Sequence, residues 1–361
     1  MKIITLIGYI TLTLTGVLIS TLIGGMGSWS SSYGNAGYLV KCGSRDETVT
    51  VKRTKFTLRD GINDEKEITS QNKTRDEKIP RNITKVIILT YRRSGSSFFA
   101  ELLKQNPGVF FIFEPLVPVA EKHGDLDVPI VGPAYIREIL NCRFGSNSFL
   151  NQSATMKGWR WQSVFRGVSD FKAIPKVCLG RGIVATKIIR LRNIGEIAPF
   201  FDEDTAILSL ARDPRGILNS RNKENVEYMN QTLEQKKNDM KVLCYNMLTN
   251  INFIHDLDKS KKRLRSSAFI KQVLYEDFAM NPLNNTKELY KTLNIEFHEA
   301  VQQWIEKNTS NNSNWGSVYG TSRNSSSLPS MWRHELSQKE LHMIQNITNC
   351  SKVIKLLGFQ K

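Results

Sequence analysis

The sequence predicts an α/β protein built on a central parallel sheet flanked by helices. Three observations predict it. From about residue 82 short β-rich runs alternate with helical patterns, and two strand-to-helix passages turn through tight polar loops that contain glycine. At 361 residues, 40% of them hydrophobic, the chain is also long and apolar enough to bury a large core.

The elements follow in chain order. No charged residue occurs from Ile3 to Val40, and Ile3 to Gly24 is rich in Ile, Leu, Val and Thr. A helix needs about 20 such residues to cross a bilayer. A cleaved signal peptide usually has an apolar region of only about 7–15 residues. Residues 1–27 are therefore expected to form a cytosolic tip and an uncleaved anchor through which the chain meets the membrane, with the bulk of the protein on the lumenal side. Residues 28–81 are polar and lack a sustained apolar period, so they read as a disordered stem. The folded domain is expected over 82–361. Its clearest strands are Lys85–Tyr91, Gly182–Leu191, Thr205–Ala211 and Ala268–Tyr275, and its clearest helices are Ser97–Gln105, Pro214–Lys223, Leu233–His255 and Pro282–Leu293.

Lys and Arg outnumber Asp and Glu by 50 to 34. The excess favours an anionic partner, but it is spread along the chain without the dense basic block of a nucleic-acid tail, so no nucleic acid is expected. Ten Asn-x-Ser/Thr triplets, from Asn72 to Asn349, fit the secretory route. Five cysteines, Cys42, Cys142, Cys178, Cys244 and Cys350, are too few and too scattered for a Cys-x-x-Cys metal site, and the histidines form no metal pattern. No metal is expected.

The first polar turn runs Arg92-Arg93-Ser94-Gly95-Ser96-Ser97-Phe98, between the strand Val86–Thr90 and an amphipathic helix. Glycine permits close backbone approach, and the N–H groups and dipole at a helix start attract an anion. Ser96 and Ser97 add hydroxyl donors and Arg93 adds a cation on the same turn. Alone, the segment reads as well as an ordinary turn with a serine N-cap. The Gly-x-x-x-x-Gly-Lys-Ser/Thr spacing of nucleotide hydrolases is missing, which disfavours an ATP- or GTP-driven enzyme. The second turn, Arg212-Asp-Pro-Arg-Gly-Ile-Leu-Asn-Ser-Arg221, sets Arg212 at a strand end and Ser220 about two turns into the following helix. The alternative for Arg212 and Asp213 is a structural ion pair at a helix start.

Together these two turns resemble the Golgi carbohydrate sulfotransferases, in particular those that sulfate the 6-hydroxyl of galactose, N-acetylgalactosamine or N-acetylglucosamine. Phe113-Glu-Pro-Leu116, Tyr275-Glu-Asp-Phe278 and Thr321-Ser-Arg-Asn-Ser325 extend the resemblance from about residue 82 to 359. It implies a P-loop-like three-layer fold and a sulfuryl donor, 3′-phosphoadenosine 5′-phosphosulfate (PAPS). The first turn would bind the 5′-phosphosulfate, Arg212 and Ser220 the 3′-phosphate, and Arg323 would close on the nucleotide. The partner is then a glycan such as chondroitin or keratan sulfate, and the location a Golgi membrane. The resemblance also implies the bridges Cys244–Cys350 and Cys142–Cys178, which leaves Cys42 free or linking two subunits of a homodimer.

Sulfuryl transfer, like phosphoryl transfer, asks for positioning, cations at the leaving oxygen and a base for the acceptor hydroxyl. Arg93 is the expected cation. Glu114 is the expected base, with His123 its rival. A second reading keeps the fold without catalysis, as a membrane-anchored lectin for sulfated glycans, but such a protein would be free to lose Arg93, Arg212 or Ser220. Segments 116–181 and 225–266 are expected to shape the acceptor groove.

Overall fold

The computed structural model describes residues 30–34, 37–41, 48–51, 82–124, 128–144, 171–224, 226–259, 267–309 and 324–359. The chain divides into two units, 1–71 and 72–361. In the first, strands β1 (Ser30–Gly34), β2 (Gly37–Lys41) and β3 (Thr48–Val51) pair antiparallel in that order, within the segment read as a stem. The expected anchor at 3–24 and Cys42 lie outside the described residues. Among the described residues no helix is long and apolar enough to cross a membrane.

The second unit holds a five-stranded sheet of β4 (Lys85–Leu89), β5 (Val109–Phe113), β6 (Ile183–Ile188), β7 (Thr205–Ala211) and β8 (Phe269–Leu274). Its order is β5-β6-β4-β7-β8 and every pairing is parallel. Successive residues point to opposite faces. Ile87 and Leu89 therefore join one apolar cluster while Val86 and Ile88 join another, and the sheet is buried on both sides. The first cluster is covered by α2 (Val117–His123), α3 (Val128–Leu140), α4 (Ile174–Leu179) and α5 (Ile194–Ile197), and holds the bonded pair Cys142–Cys178. The second is covered by α1 (Ser96–Lys104), through Phe99, Leu102 and Leu103, and by the helices that follow β8.

Sequence reading had passed over β5. It is five consecutive apolar residues, Val-Phe-Phe-Ile-Phe, a strand buried on both faces with no alternation to mark it. After β7 come α6 (Pro214–Asn222), α7 (Val226–Met229) and the long α8 (Leu233–Lys259). After β8 come α9 (Tyr275–Met280), α10 (Pro282–Thr292) and α11 (Glu299–Thr309), and the chain ends in α12 (Trp332–Glu335), α13 (Gln338–Gln345) and α14 (Thr348–Leu356). The bond Cys244–Cys350 ties α8 to α14 inside a third apolar cluster.

The chain leaves β4 for β5, returns to β6 beside β4, then crosses to β7 on the other side. The direction of winding reverses at β4. Sheets of this kind open a crevice at the carboxyl ends of the strands where the winding reverses.

Candidate active site

All five strands of the sheet deliver a polar residue to that end. Arg93 follows β4, Glu114 follows β5, Lys187 lies at the end of β6, Arg212 follows β7 and Tyr275 follows β8, and all five line one cleft of about 380 Å³. Among its lining residues are six cations, Arg92, Arg93, Lys187, Arg190, Arg212 and Lys223, against two carboxylates, Glu114 and Glu224. Such an excess inside a concave wall of low dielectric concentrates an anionic ligand.

The first turn is open to an anion. Gly95 is the N-cap of α1 at φ 82 and offers no side-chain cap, and no acidic residue stands in the first turn of the helix. The N–H groups of that turn have no partner inside the helix, and Gly95, Ser96, Ser97 and Phe98 line the cleft. Arg93 is itself left-handed, at φ 70, a conformation that costs a non-glycine residue about 1–2 kcal/mol. Ser94, in the same loop, faces away from the cleft. It is fully buried, its hydroxyl donates to the Tyr91 carbonyl at 2.6 Å and meets Thr90 Oγ1 at 2.5 Å, so it closes the turn from behind. Arg92 stands at the cleft's edge and pairs with Glu224 at 3.0 Å.

The second turn is closed to an anion at its helix end. Asp213 caps α6 by accepting from the Arg215 N–H at 2.8 Å, and its carboxylate is gripped by the Arg215 guanidinium at 2.7 Å. What this turn offers is side chains. Ser220 accepts from Arg93 Nε at 3.0 Å, and Arg212 Nη1 donates to the Arg93 carbonyl at 3.0 Å. The two motifs read separately in the sequence are thus bonded to each other. Arg212 is 8% exposed, lies 4.5 Å above the Tyr275 ring, and has a buried Nε without a partner. Gly216 leaves it room, since a Cβ there would sit 3.0 Å from that Nε.

Glu114 lies between two cations, with Lys187 Nζ 2.6 Å from Oε1 and Arg190 Nη1 2.9 Å from Oε2. Burial alone would push its carboxyl up, but Lys187 and Arg190 together outweigh burial and hold it below the ordinary glutamate value. It is ionised across neutral pH. Its φ of 43 is a second left-handed non-glycine conformation in the cleft wall, and backbone strain of this kind is stored at functional sites. The rival His123 is the last residue of α2, and its side chain lies outside the described residues. So does Arg323.

Sequence reasoning missed Lys187, Arg190, Asn219, Lys223 and Ser325, all of which line the cleft. Lys187 had left a signal: a cation in the otherwise apolar run Ile183-Val-Ala-Thr-Lys-Ile, near the carboxyl end of a strand and 2% exposed. Among the described residues no cluster of His, Cys, Asp and Glu could hold a metal.

No family model matches the chain. Carbohydrate sulfotransferase 1 of Danio rerio is 25% identical to it, over 77% of this chain and 78% of that protein. Carbohydrate sulfotransferase 1 of Homo sapiens is 25% identical over 77% and 79%, and carbohydrate sulfotransferase 3 of Rattus norvegicus 24% identical over 76% and 67%. The chain is similar in sequence to carbohydrate sulfotransferases. Among solved structures, the sulfotransferase domain from the curacin biosynthetic pathway superposes with a TM-score of 0.43 at 14% identity, over 77% of this chain and 98% of that one. That from the Synechococcus PCC 7002 olefin synthase gives 0.44 at 16%, over 81% and 100%. The similarity to carbohydrate sulfotransferases rests on sequence, and the geometry of the cleft stands on its own beside it.

Proposed function

We propose that this protein transfers a sulfuryl group from PAPS to a hydroxyl of a glycan. The observation that carries the reading is the convergence of both anion motifs, joined by the Arg93–Ser220 hydrogen bond, in a cleft with six cations to two carboxylates. The residues present fit a doubly phosphorylated nucleotide: an open helix N-terminus on one side, and on the other a buried arginine with an unpartnered Nε.

The donor supplies the sulfuryl group and leaves as a bisphosphate. Arg93 and the first turn of α1 take up the charge that grows on the leaving phosphate. Arg212 and Ser220 hold the 3′-phosphate. Glu114, kept ionised by Lys187 and Arg190, accepts the proton of the attacking hydroxyl. The choice of the 6-hydroxyl of galactose, N-acetylgalactosamine or N-acetylglucosamine is supported by the resemblance of the two motifs. Anchoring in a Golgi membrane with the domain in the lumen is supported by the uncharged run from Ile3 and by the sequons, and a homodimer through Cys42 by its lack of a partner in the pairing scheme.

The protein is expected to bind immobilised 3′,5′-adenosine bisphosphate, and the double substitution Arg93→Ala, Arg212→Ala to abolish both binding and sulfate transfer. Transfer that survives the double substitution would place the donor elsewhere.

A further inference from the structure

Behind the donor motifs stands an acid to which neither the sequence motif that contains it nor the proposed reaction gives a role. Glu276 opens α9 directly after Tyr275. Its Oε1 accepts from the Asp213 N–H at 2.9 Å, which pins the turn between Arg212 and α6. Its Oε2 is buried without a partner, as is Arg212 Nε. Tyr275, the preceding residue, forms the floor under the Arg212 guanidinium at 4.5 Å. One short segment thus holds Arg212 from two sides, by a ring beneath it and by an anchor on the residue that follows it.

We propose that Glu276 is a proton-linked positioning residue of the donor site: it anchors the Asp213 turn in either protonation state, and takes up a proton when a phosphate binds at Arg212. The inference rests on the reading that Arg212 receives the 3′-phosphate. A phosphate carries about −1.5 to −2 charges at neutral pH. Brought to Arg212, it competes for a guanidinium whose charge helps keep Glu276 ionised, and it repels the carboxylate.

The other charged groups near Glu276 do not supply a substitute. Asp213 adds a negative charge but is bound by Arg215, and Asp277 on the same helix is a further acid. Burial already pushes the Glu276 carboxyl up to about 7, and the Asp213 hydrogen bond and Arg212 offset only part of that. The side chain is therefore divided between its two states near neutral pH, where a nearby anion shifts it most. Because binding takes up a proton, affinity strengthens as pH falls. If the bound state is fully protonated, a free value of about 7 gives uptake of about half a proton at pH 7 and a change of up to about tenfold in affinity between pH 6 and 8.

The test is calorimetry of 3′,5′-adenosine bisphosphate binding to the full chain, solubilised in detergent, at pH 7 in two buffers of different ionisation enthalpy. Wild type is compared with Glu276→Gln, which keeps an oxygen for the Asp213 N–H but cannot titrate. The expected result is that wild type takes up about half a proton more than the variant, and that its affinity gains up to about tenfold more than the variant's from pH 8 to pH 6. Equal proton counts in the two proteins overturn the inference while leaving the donor site intact. Should the variant not fold, wild type alone decides. Net proton uptake with the 3′,5′-bisphosphate and none with adenosine 5′-monophosphate supports the inference, because a bound phosphate by itself releases protons; no difference between the ligands overturns it. If wild type binds no bisphosphate at all, the donor-site reading fails and this inference with it.

Discussion

Glu114→Gln removes a negative charge from between two cations and leaves the rest of the cleft wall in place. In the wild type Lys187, with a side chain only 3% exposed, and Arg190, 30% exposed, both contact the carboxylate. Removing one partner of a buried ion pair outright costs roughly 3–5 kcal/mol. Here the amide oxygen still accepts one hydrogen bond and Arg190 keeps some solvent, so a loss of about 2 kcal/mol is expected at neutral pH. With a urea m-value of about 3 kcal/mol/M, that lowers the unfolding midpoint by about 0.7 M. The sign with pH is fixed by the direction of the shift. A carboxyl held below its ordinary value contributes stability that is present above the unfolded value and lost as pH falls through the folded one. The gap between wild type and variant should therefore be open at pH 7.5 and close in acid, below the ordinary glutamate range. Turnover should fall by about 10²–10⁴ while bisphosphate affinity holds. Equal urea midpoints at pH 7.5 would refute the ion-pair account. A parallel loss of turnover and nucleotide binding would make Glu114 a structural residue instead of the base.

Gly95→Ala asks for a side chain at φ 82, where its Cβ would meet the Tyr275 ring within van der Waals contact and force the ring away from Arg212. The left-handed conformation alone costs about 1–2 kcal/mol, so thermal unfolding should drop and bisphosphate affinity should fall with it; a variant that bound normally would mean that the turn plays no part in the donor site. Cys350→Ser opens the Cys244–Cys350 loop of 106 residues. By chain entropy such a link stabilises by up to about 4.8 kcal/mol, and an unfolding free energy unchanged in the variant would contradict a bond in the folded protein.

How much of this was legible in the sequence depends on how local each feature is. The two strand-turn-helix motifs are contiguous, so Arg93, Gly95, Arg212 and Ser220 could be named before any coordinates. Thr205–Ala211 has the bounds read from sequence, while the other three strands end one to three residues before the reading. Gly182–Leu191 reads as strand, yet the ladder ends at Ile188 and Arg190 turns into the cleft. The neighbours that set the charge of Glu114 come from β6 and the turn after it, more than 70 residues away in the chain, and only the parallel register brings Lys187 opposite Phe113. Glu276 stood inside a quoted motif, but its role was not legible for the same reason: its partner, the Asp213 N–H, lies 63 residues upstream. The part Ser94 plays in closing the turn was not legible, because a Ser-rich turn does not say which hydroxyl closes the loop.

The central claim is the donor and the group it transfers. Incubating the full chain with PAPS labelled in the sulfuryl group and a panel of desulfated glycans measures it directly, with linkage analysis of any labelled product. The account predicts label on a glycan hydroxyl, dependent on Arg93 and Arg212 together. A protein that binds 3′,5′-adenosine bisphosphate but leaves the whole panel unlabelled, or that labels it equally well without both arginines, would contradict it.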